Sequence, residues 1–315
     1  MIHVRRIAAV ACASLSLIAA TAATPSLRSG LGPFDIVRTD EGRPVTGKNS
    51  MTSPLRDVFG TSGNLRALIG TPASLARTPA LQTLLSGLPL DRPGVHSLGL
   101  PAPGGDSLVV VFLESFGALK GSKVGAYRVG RWPAARVTAG VSRYAPPEGF
   151  IAVVPENEHT LVSKRFRLRD FLTHDQQGVW PKVLVLQPAL LDKLELIGDE
   201  LERRGLPSSL RVMSGFRTPQ YNAQGVGKKG GRAGASRHMY GDAADVFVDD
   251  NGDGRMDDLN GDGKSTTRDA RVLFAIAEGV EAKHPELVGG LSAYAATTAH
   301  GSFVHVDTRG VRARW

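Results

Sequence analysis

"SRHMYGDAADVFVDDNGDGRMDDLNGDGK", residues Ser236 to Lys264, places a histidine and an aspartate seven residues apart and follows them at once with an acidic, glycine-rich run. Within it "AADVFV" (243–248) alternates as a strand does, with Ala243, Asp245 and Phe247 on one face and Ala244, Val246 and Val248 on the other. Near the end of the chain "FVHVD" (303–307) divides the same way, Phe303, His305 and Asp307 against Val304 and Val306. Two neighbouring strands with such valine backs pack them on a core and aim Asp245 and His305 in one direction. His238, on the turn before the first strand and given room by Gly241, completes a set of two histidines and one carboxylate. A set of that kind leaves one position open, as catalytic zinc sites do. Spacing alone also permits the plainer reading, in which each is a surface residue or a hydrogen-bonded core residue.

The acidic run reads separately. Asp258, Asn260, Asp262, Gly263 and Asp269 occupy positions 1, 3, 5, 6 and 12 of a calcium loop, with the Lys264 carbonyl at 7 and Thr266 at 9. Asp249, Asn251, Asp253, Gly254 and Asp257 begin a second copy nine residues earlier, whose position 12 is Asn260. The overlapping copies resemble the tandem calcium repeats of dockerins and thrombospondins, and depart from EF-hands in lacking Glu at position 12. Seven aspartates in 249–269 against Arg255, Lys264 and Arg268 repel one another without a counter-ion. The expectation is a calcium-loop insertion at 249–269 that orders the connection and takes no part in chemistry, because a hard ion with oxygen ligands does not replace zinc.

Outward from this core, "QPALLDKLELIGDELERRG" (187–205) carries a helical apolar period with acids early, arginines late and a closing glycine. A strand "LRVMSGFR" follows it, and a second helix is expected near "TTRDARVLFAIAEGVEAKH". Upstream, "DSLVVVFLESFG", "KVGAYRVGRW", "GFIAVVPE" and "HTLVSKRFRL" are β-type runs between Gly and Pro turns, which predict a small β domain over 106–165. Residues 24–105 are rich in Gly, Pro, Ser and Thr and read as linker with short helices. The expected class is α+β, with a central antiparallel sheet and flanking helices over 166–315.

The first 23 residues have a basic start at Arg5 and Arg6, an apolar run from Ile7 to Ala20 and small residues at Ala22 and Ala23, as an export signal does. Export to a periplasmic or extracellular, wall-associated location is the expectation, with no transmembrane segment in the mature chain. The single cysteine, Cys12, lies inside that leader, so a thiolate zinc cage is excluded from the mature chain. Without Arg5 and Arg6 the formal charge of +8 becomes +6, and no dense basic block interleaves with aromatics, so nucleic acid is a poor partner. A positive exported protein suits an anionic envelope polymer.

"SRHMYGDAAD" fits Ser-x-His-x-x-Gly-x-Ala-x-Asp at every fixed position, "FVHVD" fits a terminal His-x-Asp, and "SGFRTPQYN" fits an upstream Ser-Gly-[Tyr/Phe]-Arg-Ser/Thr-x-x-x-Asn segment. Over Phe166 to Trp315 the chain thereby resembles the zinc D-Ala-D-Ala carboxypeptidases of the peptidase M15 family. The closing "VRARW" is most similar to that family's small exported murein peptidases. The resemblance implies the zinc fold shared by D,D-peptidases and hedgehog domains. It further implies zinc on His238, Asp245 and His305, and a substrate carboxylate or carbonyl oxygen on Arg217. Some members place a general-base Glu where this chain has Ser302, and others a His where it has His300, so His300 is the implied base. Asp307 would orient a ligand or an arginine, and Ser236 would steady the ligand turn. The implied activity is hydrolysis of peptidoglycan stem peptides or cross-links, as carboxypeptidase or endopeptidase. The alternative is a zinc- and calcium-binding module that binds cell wall or signals without turnover.

Overall fold

The computed structural model describes residues 61, 66–75, 77, 85, 88, 92–101, 107–133, 137–138, 141–142, 144–227 and 231–315. The leader read at 1–23 lies outside the described residues, as does all of 24–60.

The described chain begins with β1 (Leu68–Gly70), a short helix α1 (Pro72–Leu75), β2 (Gly94–Pro101) and β3 (Ser107–Phe112), which form a three-stranded sheet in the order β1-β3-β2. This corrects the expectation at 24–105: two strands of the sheet come from the segment read as linker with short helices. Their signals were weak because β1 is three residues long and β2, "GVHSLGLP", carries Gly and Pro. Two strand pairs follow, β5 (Lys123–Val124) with β6 (Tyr127–Arg128) and β7 (Val137–Thr138) with β8 (Val141–Ser142). Between β3 and β5 lies β4 (Glu114–Ser115), which joins β9 (Gly149–Val153) and β10 (Lys182–Leu184) in the order β10-β9-β4.

"HTLVSKRFRL" is not a strand. It makes one bridge, Leu161 to Arg167, and then a 3-10 turn, Leu168–Phe171. The reason is Arg165, whose side chain leaves the β pattern to pair with Glu195, Asp199 and Glu202 on the following helix.

That helix, α2 (Pro188–Arg203), starts on a proline and buries Leu190, Leu191, Leu194, Ile197 and Leu201 at i, i+3 and i+4 spacing. It stops at Gly205, whose φ of 67° lets the Leu206 amide reach the Leu201 carbonyl (3.1 Å) and its own amide reach Glu202 (3.0 Å). The main sheet is built from β11 (Leu210–Ser214), β12 (Ala243–Val248), β13 (Gly290–Tyr294), β14 (Phe303–Asp307) and β15 (Ala313–Arg314), in the order β11-β12-β14-β13-β15. A short helix α3 (Pro219–Ala223) follows β11, and α4 (Thr267–Lys283) lies between β12 and β13. "GLSAY" of β13 was not anticipated; Gly, Ser and Ala give it no β-branched signal, and its pairing with β14 creates it.

The alternation read for β12 and β14 holds. Val246, Val248, Val304 and Val306 are fully buried and share one core with Leu291 and with Leu273, Ile276 and Ala277 of α4. Each such side chain contributes about 1.5–3 kcal/mol by leaving water. The same core continues through Phe150, Ile151 and Phe171 to Val109 and Val111, so the boundary drawn at 165/166 does not divide it, and the described residues form one compact unit. The result is a mixed α+β architecture of several small sheets and few helices, and the opposite face of the main sheet is left for polar groups.

Candidate metal centre

Three elements deliver the side chains. Asp245 of β12 and His305 of β14 are direct partners in antiparallel register, so both project from the same face. His238 rides on a 3-10 turn, Arg237–Tyr240, held by the Gly241 carbonyl accepting from the Gln187 amide (2.9 Å) and by Trp132 Nε1 donating to the Met239 carbonyl (2.7 Å). Gly241 has φ 71°, and a Cβ there would run into the backbone of Val185, so only glycine turns the chain from the histidine to the strand.

The ligand atoms converge. His238 Nε2 lies 3.2 Å from His305 Nδ1, and Asp245 Oδ1 lies 3.0 Å from His305 Nδ1 and 3.3 Å from His238 Nε2. All three residues are buried, and among the described residues theirs is the one group of three His or carboxylate side chains whose ligand atoms lie within 4.8 Å of one another.

What makes these atoms suit a cation is how the far side of each ring is held. His238 Nδ1 faces the Gly215 carbonyl at 2.7 Å and must donate to it, which leaves the Nε2 lone pair pointing inwards. His305 Nε2 faces Asp307 Oδ2 at 3.1 Å and donates likewise, which turns the Nδ1 lone pair inwards. When both rings are neutral, two nitrogen lone pairs are therefore turned towards the Asp245 carboxylate oxygen. Burial opposes charge on Asp245, yet the two imidazoles hold its carboxyl well below the usual range. Burial also pushes the His305 imidazole down, but its bonds to Asp245 and Asp307 outweigh that and raise it. The group fits a metal ion.

Asp307 stands behind His305 as the acceptor for its Nε2. It is fully buried and also accepts from Arg309 and from the Gly290 amide (2.8 Å), so the acceptor behind His305 is itself fixed. Lys193, with no exposure, donates to the Asp307 carbonyl (2.7 Å) and to Glu281 (2.6 Å), which ties this end of β14 to α2 and α4.

Arg217 is at the centre: its Nη2 donates to Asp245 Oδ2 at 2.6 Å and its Nε to Ser214 Oγ at 3.0 Å. The residue implied for substrate is thus paired with a ligand carboxylate. Ser236 caps the ligand turn through its carbonyl, which accepts from the Met239 amide (3.1 Å), and not through its hydroxyl. His300 sits edge-on to Phe303 (5.0 Å), and its Nδ1 donates to the Gly301 carbonyl (2.8 Å). It is on the His305 side of the sheet without a hydrogen bond to the three ligands among the described residues.

Three contributors escaped the sequence reading. The Gly215 carbonyl lies inside "SGFR" but carries no side-chain signal. His174 is exposed and within electrostatic range of Arg217; partial desolvation and then that charge hold its imidazole below the ordinary value. Trp315 lies 5.3 Å from the His305 ring, brought there by the parallel pairing of β15 with β13.

The acidic insertion is two turns of one pattern. Asp249 accepts from the amides of Asp253 and Gly254, Asn251 from Asp253, and Asp253 from Arg255. Nine residues on, Asp258 accepts from Asp262 and Gly263, Asn260 from Asp262, and Asp262 from Lys264. Asp257 accepts from the Asp250 amide and from Asn251 Nδ2. Asp269, at position 12, is fully buried and receives the amides of Leu259, Asn260 and Thr266, closing a capping box with Thr266 at the start of α4. Its carboxylate thus serves the turn.

No protein-family model, curated protein or solved structure matches the chain.

Proposed function

We propose that the chain is an exported zinc metallopeptidase that hydrolyses peptide bonds in peptidoglycan stem peptides or cross-links, on the zinc-domain fold of D,D-peptidases. The observation that carries the reading is the convergence of His238 Nε2, His305 Nδ1 and Asp245 Oδ1 with both tautomers fixed from behind. Two imidazoles and one carboxylate are the donor set of a hydrolytic zinc with an open position. Zinc bound there supplies Lewis acidity towards a carbonyl and an acidified water.

The remaining work falls to this chain's own side chains. Arg217, anchored beside the centre by Asp245 Oδ2 (2.6 Å) and Ser214 Oγ (3.0 Å), would receive the substrate's carboxylate or the oxygen on which negative charge develops. His300, with Nδ1 committed to the Gly301 carbonyl, keeps Nε2 as the nitrogen that accepts a proton and returns it to the leaving amine. Asp307 and Gly215 hold the ligand rings still. Calcium in the two acidic turns would order the connection between β12 and α4, away from the reaction.

Mass spectrometry of muropeptides digested with the purified protein, with and without chelator, tests the reading and identifies the bond. Cleavage lost with chelator, restored by zinc and absent in His238→Ala and His305→Ala is expected; full activity in either variant would overturn the assignment. His300→Gln is expected to lower kcat by about 10²–10⁴ and to remove one limb of the pH profile.

A further inference from the structure

Among the described residues three large apolar side chains are exposed, Val226, Tyr294 and Trp315, and two of these adjoin each other beside the metal centre. Trp315 Nε1 donates to the Tyr294 hydroxyl at 2.6 Å, so the two rings are linked edge to edge. Tyr294 stacks on Phe303 at 4.7 Å with 10° between the rings, which covers one face and leaves the other outward. Trp315 is 56% exposed, lies 5.3 Å from His305 and carries Arg309 over its ring at 5.4 Å. Tyr294 and Phe303 are cross-strand partners two positions along from Ser292 and His305, which puts the rings on the metal-facing side of the sheet. Ser292 Oγ binds the Trp315 carbonyl at 2.5 Å and fixes the end of the strip.

An exposed aromatic strip held this rigidly marks a binding surface. Its ligand class follows from what surrounds it. Arg309 is paired with Asp307, and Arg314 with Glu278 and Glu281, so the strip offers no spare charge to an ion. Tyr294 is 37% and Trp315 56% exposed, so both offer aromatic surface to solvent on which a ring can stack. The Tyr294 hydroxyl accepts from Trp315 and keeps its own proton to donate outwards. A sugar ring, uncharged, with an apolar C–H face to lie on the aromatics and hydroxyls at its edge, meets these terms.

We propose that Tyr294 and Trp315 form a subsite that stacks an aminosugar of the glycan carrying the peptide to be cut. The inference rests on the peptidase reading and adds to it a preference for sugar-bearing peptide.

The test compares one stem peptide with and without an N-acetylmuramoyl group, using the full zinc-loaded chain. The wild type should show a KM roughly tenfold lower for the sugar-bearing form, and Tyr294→Ala should bring the ratio of the two KM values near one. A ratio unchanged in the variant overturns the subsite and leaves the peptidase reading standing. In a separate arm N-acetylglucosamine, an uncharged aminosugar, is titrated into metal-free protein and tryptophan fluorescence is followed. A saturable change that Trp315→Phe abolishes is expected, and no change, or a change that persists in that variant, overturns the subsite. If the wild type cuts neither peptide, the peptidase reading fails, and the fluorescence arm still decides whether the strip binds sugar.

Discussion

Gly215 gives the metal centre a carbonyl and nothing else, and that oxygen decides which nitrogen of His238 faces the other ligands. Asp307 does the same for His305. Asp307→Asn keeps an acceptor for the Gly290 amide but weakens the hold on the imidazole, so zinc affinity should fall by about 10–100-fold, read by competition with a chromophoric chelator. An unchanged affinity would show that the Asp307 carboxylate serves only Arg309. At this scale the sequence was informative wherever a side chain carries the chemistry: His238, Asp245, His305 and Asp307 stand where their spacing put them. It was silent where the backbone does, as at Gly215, and where distant segments meet, as at Trp315.

At the level of elements, strand alternation predicted the faces of β12 and β14 because two valine backs allow only one orientation onto the core. No comparable pressure marks "GLSAY", which becomes a strand only beside β14. The repeated turns of 249–269 were legible as a repeat from residue types alone, yet their present use is to bind backbone amides. Calcium, if it binds there, must share these oxygens, and its effect should appear as stability. Millimolar calcium is expected to raise the midpoint of thermal unfolding in the wild type and not in Asp258→Asn/Asp262→Asn, measured by circular dichroism. An identical response in both would remove calcium from this loop. Asp269 is the wrong residue for that comparison, because each buried amide it leaves unpaired would itself cost about 1–3 kcal/mol.

Over the whole molecule, the composition that suggested linker, β domain and catalytic domain did not show that one core runs through the last two. That Phe150 and Phe171 share one core with the α2 leucines has no local signature. The helices are joined by charge as well: Glu200 of α2 binds Arg203, Arg204 and Lys283 of α4, and its hydrogen bond to Arg203 leads the causes that bring its carboxyl from 4.5 down to about 2. A carboxyl lowered on folding contributes stability that is fully present above its unfolded value. That contribution is lost as pH falls from about 4.5 towards 2. Urea midpoints measured across this window should therefore drop less steeply for Glu200→Gln than for the wild type, and parallel slopes would assign the acid sensitivity to other carboxylates.

The glycine that turns the chain after His238 has a consequence for how the three side chains are kept together. Asp245 and His305 are set by the hydrogen-bond ladder of two paired strands, and their separation is as stiff as the sheet. His238 stands on a single turn that ends at Gly241, where a Cβ would collide with the backbone of Val185. The centre thus has two positions set by one sheet and a third set by a turn that Gly215, Trp132 and Gln187 hold. A side chain at Gly241 would therefore displace His238 alone, and metal affinity would fall while both strands stay as they are.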